Sequence, residues 1–256
     1  MNKTVIFDMG GVLVDLDIED SKRVFREELG YAAIDQIIDA CHQKGIYGEL
    51  EQGLLTGDEF RRIVLSESRP GSKPEDVDKA MYHILVGIAP EKVSLLKDLS
   101  AEYDLYLLSN NNEICLPCAR GMFEQAGIPL DKIFRKCFYS FEMKALKPSE
   151  SFYRAVVEQI GIPSEQMLFI DDSMANVEGS IAAGLPAIYY KPGTDLMVVF
   201  SNTLSVDLTC QESQLILIEG EPTSICFTED MIFPTLKLTS NSLLFPLMSS
   251  TVSVLT

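Results

Sequence analysis

Apolar positions along this chain follow two rhythms. Val5-Ile6-Phe7 is a continuous apolar run that ends at Asp8 and a Gly10-Gly11 turn. Such a run predicts a parallel strand over 3–8, buried on both faces. From Ile18 to Val86 the period lengthens to that of helices: Val24, Phe25 and Leu29, then Ile34, Ile37, Ile38 and Cys41. Thr56 to Glu59 and Ser72 to Glu75 have the spacing of capping boxes, and Gly45, Gly48, Gly53 and Arg69-Pro70-Gly71 interrupt the pattern. This block predicts a small helical bundle, almost free of strands, inserted after the first strand.

Regular alternation follows. Helices are expected over 89–102, 113–125, 149–160 and 173–183. Between and after them, strands are expected over 103–109, 136–140, 167–171 and 187–190. Strand and helix in turn make a doubly wound parallel sheet, an α/β fold of Rossmann-like type. No internal repeat interrupts it. From Met197 onward serine and threonine become dense, Lys237 is the one basic residue, and short apolar runs such as Leu215 to Ile218 lack helical periodicity. The expected organisation is a core of residues 1–16 and 88–196, a helical insert of 17–87, and an atypical tail of 197–256.

Three apolar strands end in polar residues that such a sheet delivers to one edge. Asp8 ends the first, Ser109-Asn110 the strand through Leu105 to Leu108, and Asp171-Asp172 the strand through Met167 to Ile170. Lys147 stands just before Pro148, where a helical pattern begins. Open α/β sheets bind ligands at this carboxyl edge. Each residue also has an ordinary structural reading. A strand-end aspartate serves turns, Asp171-Asp172-Ser173 and Ser109 are good helix caps, and a lone lysine is usually solvated. The coincidence of all four at one edge favours a site.

Acid, hydroxyl, lysine and acid pair, in that order, resemble the motifs of the haloacid dehalogenase-like hydrolases over roughly residues 3–193. The resemblance implies a phosphatase in which Asp8 is the nucleophile, Ser109 and the amide of Asn110 bind the phosphoryl group, and Lys147 balances charge. Catalytic roles thus fall on Asp8, Ser109 and Lys147, and phosphate binding on Ser109, Asn110 and Lys147. It also implies Mg2+ held by Asp8, the Gly10 carbonyl, Asp172 and Asp171, the last either on a metal-bound water or paired to Lys147. The helical insert becomes a cap hinged at 11–17 and 87–90, with His42, Lys44, Tyr47 and Arg61 as candidates to reach a leaving group. The expected substrate is a small phosphorylated metabolite, a sugar phosphate by resemblance.

Elementary electrostatics points the same way. Two carboxylates about 4 Å apart repel by about 4 kcal/mol at an effective dielectric of 20, so an edge carrying three favours a hard divalent cation such as magnesium. One position departs from the family pattern. Most of its phosphatases carry a second aspartate two residues after the nucleophile, as general acid and base, and here that position is Gly10. Asp15 and Asp17 are the nearest substitutes, although both suit linker or cap duty.

Composition narrows the alternatives. With 256 residues, 46% hydrophobic and 23% charged, the chain can bury a sizeable core. Its net charge of -17 disfavours nucleic acid and anionic membrane surfaces. No run reaches the about 18 apolar residues of a membrane span. The start shows no signal-peptide pattern, and six scattered cysteines suit reduced thiols, so a cytoplasmic monomer or homodimer is expected. Cys115 and Cys118 form the one close pair, read as ordinary thiols rather than a redox site. The rival functions are a metal-free 2-haloacid dehalogenase, against which the Asp171-Asp172 pair argues, and a catalytically impaired binding module, which Gly10 keeps open. A phosphonate-cleaving enzyme with Lys44 as Schiff base ranks last.

Overall fold

The structure, a computed structural model, describes residues 4–38, 45–205, 214–218 and 221–225. Its first strand, β1 (Thr4–Phe7), is the centre of everything that follows. After a tight turn come β2 (Asp15–Leu16), α1 (Ile18–Val24), a π-helical turn over Phe25–Leu29, α2 (Ile34–Ile37), α3 (Gly45–Glu51), α4 (Gly57–Ser66), α5 (Pro74–Tyr82) and β3 (Leu85–Gly87). The alternating half then runs α6 (Pro90–Ser100), β4 (Asp104–Ser109), α7 (Cys115–Gln125), α8 (Leu130–Ile133), β5 (Lys136–Tyr139), α9 (Ser140–Met143), α10 (Glu150–Ile160), β6 (Met167–Asp171), α11 (Met174–Ala182), β7 (Ala187–Tyr189) and α12 (Leu196–Ser205).

Five strands pair in the order β5-β4-β1-β6-β7, all parallel. The doubly wound α/β expectation therefore holds. The period-two alternation of strand side chains sorts them to two faces. Val5 and Phe7 join Leu107 and Ile170 against α6 and α7, where Leu95, Leu96, Ala119 and Phe123 pack. Ile6 turns the other way with Leu108 and Phe169, against Phe152 and Val156 of α10 and Val177 of α11. Both faces are covered, which is why the strands read as unbroken apolar runs. Strand β1 lies between β4 and β6, so the chain's winding reverses there. A crevice at the strand ends follows from that reversal.

The insert builds a third core of its own from Phe25, Leu29, Tyr47, Leu50, Phe60, Val64 and Met81, and it takes in Ile114 and Cys115 from the start of α7. It is thus packed onto the sheet domain. Thr56 heads α4 with a full capping box: its hydroxyl accepts from the Glu59 amide at 3.3 Å, and the Glu59 carboxylate accepts from the Thr56 amide at 2.9 Å. The second box is displaced by one residue. Helix α5 is capped from Lys73, whose amide donates to Asp76 at 2.8 Å, because Pro74 takes the first helical position.

Two expectations are refined. The insert is not wholly free of strands: β3, at its end, pairs antiparallel with β2, where the chain leaves the core. The run from Met197 is not all atypical tail either. Helix α12 packs Leu196, Val199 and Phe200 into the sheet's core, and Phe200 meets Tyr103 edge-on at 5.6 Å between centroids. Its Leu-Met-Val-Val-Phe start is apolar without a gap, which hides a helical period. Beyond it, Gln214–Ile218 pairs antiparallel with Glu221–Ile225. The Leu243 to Phe245 run lies outside the described residues. No helix among them is long and apolar enough to cross a membrane.

Candidate active site

Parallel register carries three strand ends to one place. Phe7 lies opposite Leu107 on one side and Ile170 on the other, so Asp8 emerges between the ends of β4 and β6. The Asp8 amide donates to the Ile170 carbonyl at 2.9 Å and continues the ladder by one residue. Carboxylate oxygens of Asp8, Asp171 and Asp172 lie within 4.8 Å of one another. Gly11 makes this possible. Its φ of +77° is a left-handed conformation, and a Cβ there would stand 2.0 Å from the Asp172 carboxylate oxygen Oδ2.

Lys147 answers these charges from the opposite wall. Its Nζ lies 2.8 Å from Asp8 Oδ1 and 2.6 Å from Asp171 Oδ2, and it donates to the Leu108 carbonyl at 3.2 Å. The lysine precedes α10 across a cis peptide bond to Pro148. Asn110 clasps its backbone: the Asn110 side chain accepts from the Lys147 amide at 2.9 Å and donates to its carbonyl at 3.1 Å. Burial pulls the ammonium down, but Asp171 and Asp8 outweigh it and hold Lys147 up at about 12. One ammonium cannot neutralise three carboxylates. Burial raises Asp8 well above the usual carboxylate range; Lys147 opposes this, while Asp171 and Asp172 push it further. Burial and Asp171 together push Asp172 up to about 6. The cluster is thus electrostatically incomplete in a way a divalent cation completes.

Asp171 combines its structural and its electrostatic reading. Oδ1 accepts from the Ser173 amide at 2.8 Å and from Asn176 at 2.9 Å at the head of α11, while Oδ2 takes Lys147. Ser109 is buried at the end of β4 but does not cap α7. That helix starts at Cys115, and Asn112 caps it by accepting from the Ile114 and Cys115 amides at 3.1 and 2.9 Å. Ser109 therefore ends the strand and Asn110 opens the loop before the helix, both outside its first turn.

The substitutes for the missing aspartate are engaged elsewhere. Asp15 pairs with Lys92 at 2.7 Å, and Asp17 caps α1 by accepting from the Asp20 amide at 2.9 Å. At Gly10 a side chain would press on β2: a Cβ would lie 3.0 Å from Leu16 Cδ1. Of the insert residues expected near a leaving group, His42 and Lys44 lie outside the described residues. Tyr47 is buried in the insert's core, edge-on to Phe60, and Arg61 is held by Asp78 at 2.6 Å and by Asp58 at 2.9 Å. Cys115 is a buried free thiol pushed up to about 12 by burial, which leaves it unreactive.

Sequence reasoning missed Glu51. It ends α3 with 5% of its surface exposed, its Oε2 has no hydrogen-bond partner, and burial pushes its carboxyl up to about 8 against the pull of Lys147. The signal was present: Tyr47, Leu50 and Glu51 share one helical face, so a charged residue sits at an apolar position.

Known proteins resemble this chain over most of its length. The chain is 29% identical over 196 residues to a D-ribitol-5-phosphate phosphatase of Bacteroides thetaiotaomicron, covering 76% of this chain and 95% of the relative. A HAD family enzyme of the same organism, crystallised with magnesium and inorganic phosphate, superposes with a TM-score of 0.72 at 31% identity, covering 78% of this chain and all of that one. A predicted HAD-like family hydrolase from Porphyromonas gingivalis gives 0.73 at 31% identity, covering 80% of this chain and 98% of that one. Residues 2–184 match the haloacid dehalogenase-like hydrolases, and the chain belongs to that family.

Proposed function

We propose that this protein is a magnesium-dependent phosphatase that hydrolyses a small phosphorylated metabolite, a sugar or sugar-alcohol phosphate, through an aspartyl-phosphate on Asp8. The convergence of Asp8, Asp171 and Asp172 at the carboxyl edge, with Lys147 on the first two, carries this reading. A metal-free dehalogenase gains nothing from two further carboxylates, so the cluster argues for a phosphoryl substrate with its cation. The similar ribitol-phosphate phosphatase and the magnesium- and phosphate-bound HAD enzyme support the substrate class.

The donor set fits magnesium: hard carboxylate oxygens, close together and short of positive charge. Asp8, Asp172 and the Gly10 carbonyl would hold it, with Asp171 nearby on Lys147. Bound there, the ion offsets phosphate charge and the repulsion among carboxylates. The remaining work falls to the chain. Asp8 attacks phosphorus, the ester bond breaks, and water later releases phosphate from the acyl-phosphate. Lys147 stays protonated and stabilises charge on the transferring group. Ser109 Oγ and the Asn110 amide donate to the phosphoryl oxygens. The insert, acting as a cap, excludes water while the ester is bound.

Phosphate release from a panel of small esters, with magnesium and with chelator, tests this against Asp8→Asn. Magnesium-dependent turnover that the variant loses is the expected result. Absence of turnover on every ester refutes the reading and leaves a binding module on the same fold.

A further inference from the structure

Gly10 leaves the site without an aspartate to protonate the leaving group, and the insert carries a buried, unpartnered acid on a helix fastened beside the loop after Ser109. Among the described residues the buried carboxyls are Asp8, Asp171 and Glu51. Asp8 is the nucleophile and Asp171 is committed to Lys147, Ser173 and Asn176. Glu51 remains. Its Oε2 is out of contact with water and has no hydrogen-bond partner, a costly state for a carboxyl unless a ligand completes it.

Its position is pinned from the core. Ser140, the first residue of α9, donates to the Glu51 carbonyl at 2.6 Å and accepts from the Asn111 amide at 3.0 Å. Lys144 donates to the Gly53 carbonyl just beyond. The last turn of α3 is therefore held against the loop that follows Ser109, and the Lys147 charge opposes the burial that raises the Glu51 carboxyl.

We propose that Glu51 is the general acid and base of this enzyme, supplied by the insert in place of the aspartate absent at Gly10. The inference rests on the phosphatase reading. As Asp8 attacks phosphorus, the phosphorus–oxygen ester bond breaks with its electron pair on the leaving oxygen. That oxygen takes the Glu51 proton and departs as an alcohol. In the second half, the Glu51 carboxylate accepts a proton from water as the water oxygen bonds phosphorus. The bond to Asp8 breaks, inorganic phosphate leaves, and Glu51 is protonated again. Burial supports the role, since a carboxyl held near 8 keeps its proton at neutral pH.

The test compares kcat/KM of wild type and Glu51→Gln on D-ribitol 5-phosphate, an alkyl ester, and on p-nitrophenyl phosphate, whose leaving group departs without a proton. With both, kcat/KM reports transfer to Asp8. Glutamine keeps the size and a hydrogen-bond donor but gives up no proton. The expected loss is about 10²–10⁴-fold on the alkyl ester and at least about ten-fold smaller on the aryl ester, and the wild-type alkaline limb near pH 8 disappears. Equal losses on both esters overturn the proposal by making Glu51 structural, and so does an undiminished alkyl-ester rate. A wild type inactive on both esters instead sinks the phosphatase reading itself.

Discussion

Replacing Lys147 with methionine isolates the electrostatics of the site. The lysine side chain is 1% exposed, and its partners Asp8 and Asp171 are 10% and 0% exposed. At 2.8 and 2.6 Å, each contact is worth about 6 kcal/mol of gross attraction at an effective dielectric of 20. Much of that offsets the cost of desolvating the ammonium. Methionine fills the volume but leaves carboxylates buried without a cation, a change that costs about 3–5 kcal/mol. For a chain of this size the corresponding fall in Tm is about 6–20 °C. The penalty depends on pH in a definite direction. Orphaned carboxylates escape by taking protons, so the loss should be greatest at pH 8 and shrink toward pH 5. Thermal unfolding in chelator, across that range, measures it. A Tm within about 3 °C of wild type at pH 8, or an equal loss at both pH values, would refute the claim that Lys147 balances a surplus of negative charge.

Two further outcomes follow from the same cluster. Gly11→Ala should cost about 1–2 kcal/mol for a left-handed alanine and lower magnesium affinity by about ten-fold or more in calorimetry, because its Cβ displaces Asp172; wild-type affinity would contradict the assignment of Asp172 to the metal. Asp8 and Asp172 have raised carboxyls, and for Asp172 the window runs from about pH 4 to the folded value near 6, where the metal-free folded state holds a proton the unfolded chain has lost. Their contribution to stability is present at low pH and falls as pH rises through that window. Magnesium displaces those protons, so the Tm increase on adding it should be larger at pH 7 than at pH 5; a pH-independent increase would count against a carboxylate site.

The core was legible because its strands are buried on both faces. An apolar run that stops at Asp8, Ser109 or Asp171 declares both a parallel strand and its polar end, and the topology then forces those ends together. Side-chain contacts that join separate segments were not legible in that way. Asn110 clasping the Lys147 backbone and Ser140 holding Glu51 link residues distant in sequence, and no periodicity encodes them. Strands β2 and β3 escaped because two or three residues carry no alternation, and their pairing is enforced by the two chain crossings. Helix α12 escaped for the opposite reason, being apolar on every side at its start.

Gly10 and Glu51 are two sides of one design. An aspartate at position 10 would meet Leu16 on β2, since the built Cβ already stands 3.0 Å from its Cδ1. Leu16 is placed there by pairing with β3, the strand that returns the chain from the insert. A side chain on the core's own turn would therefore need Leu16 to give way by a few tenths of an ångström. The acid that remains comes through the insert, at the end of a helix fastened to the core by Ser140 and Lys144. An acid fixed to the core is present whether or not the insert is docked, whereas Glu51 is in place only while α3 lies against the loop after Ser109. Proton delivery is thereby coupled to closure over the substrate, and an open site, in which water could attack prematurely, is also one without its proton donor.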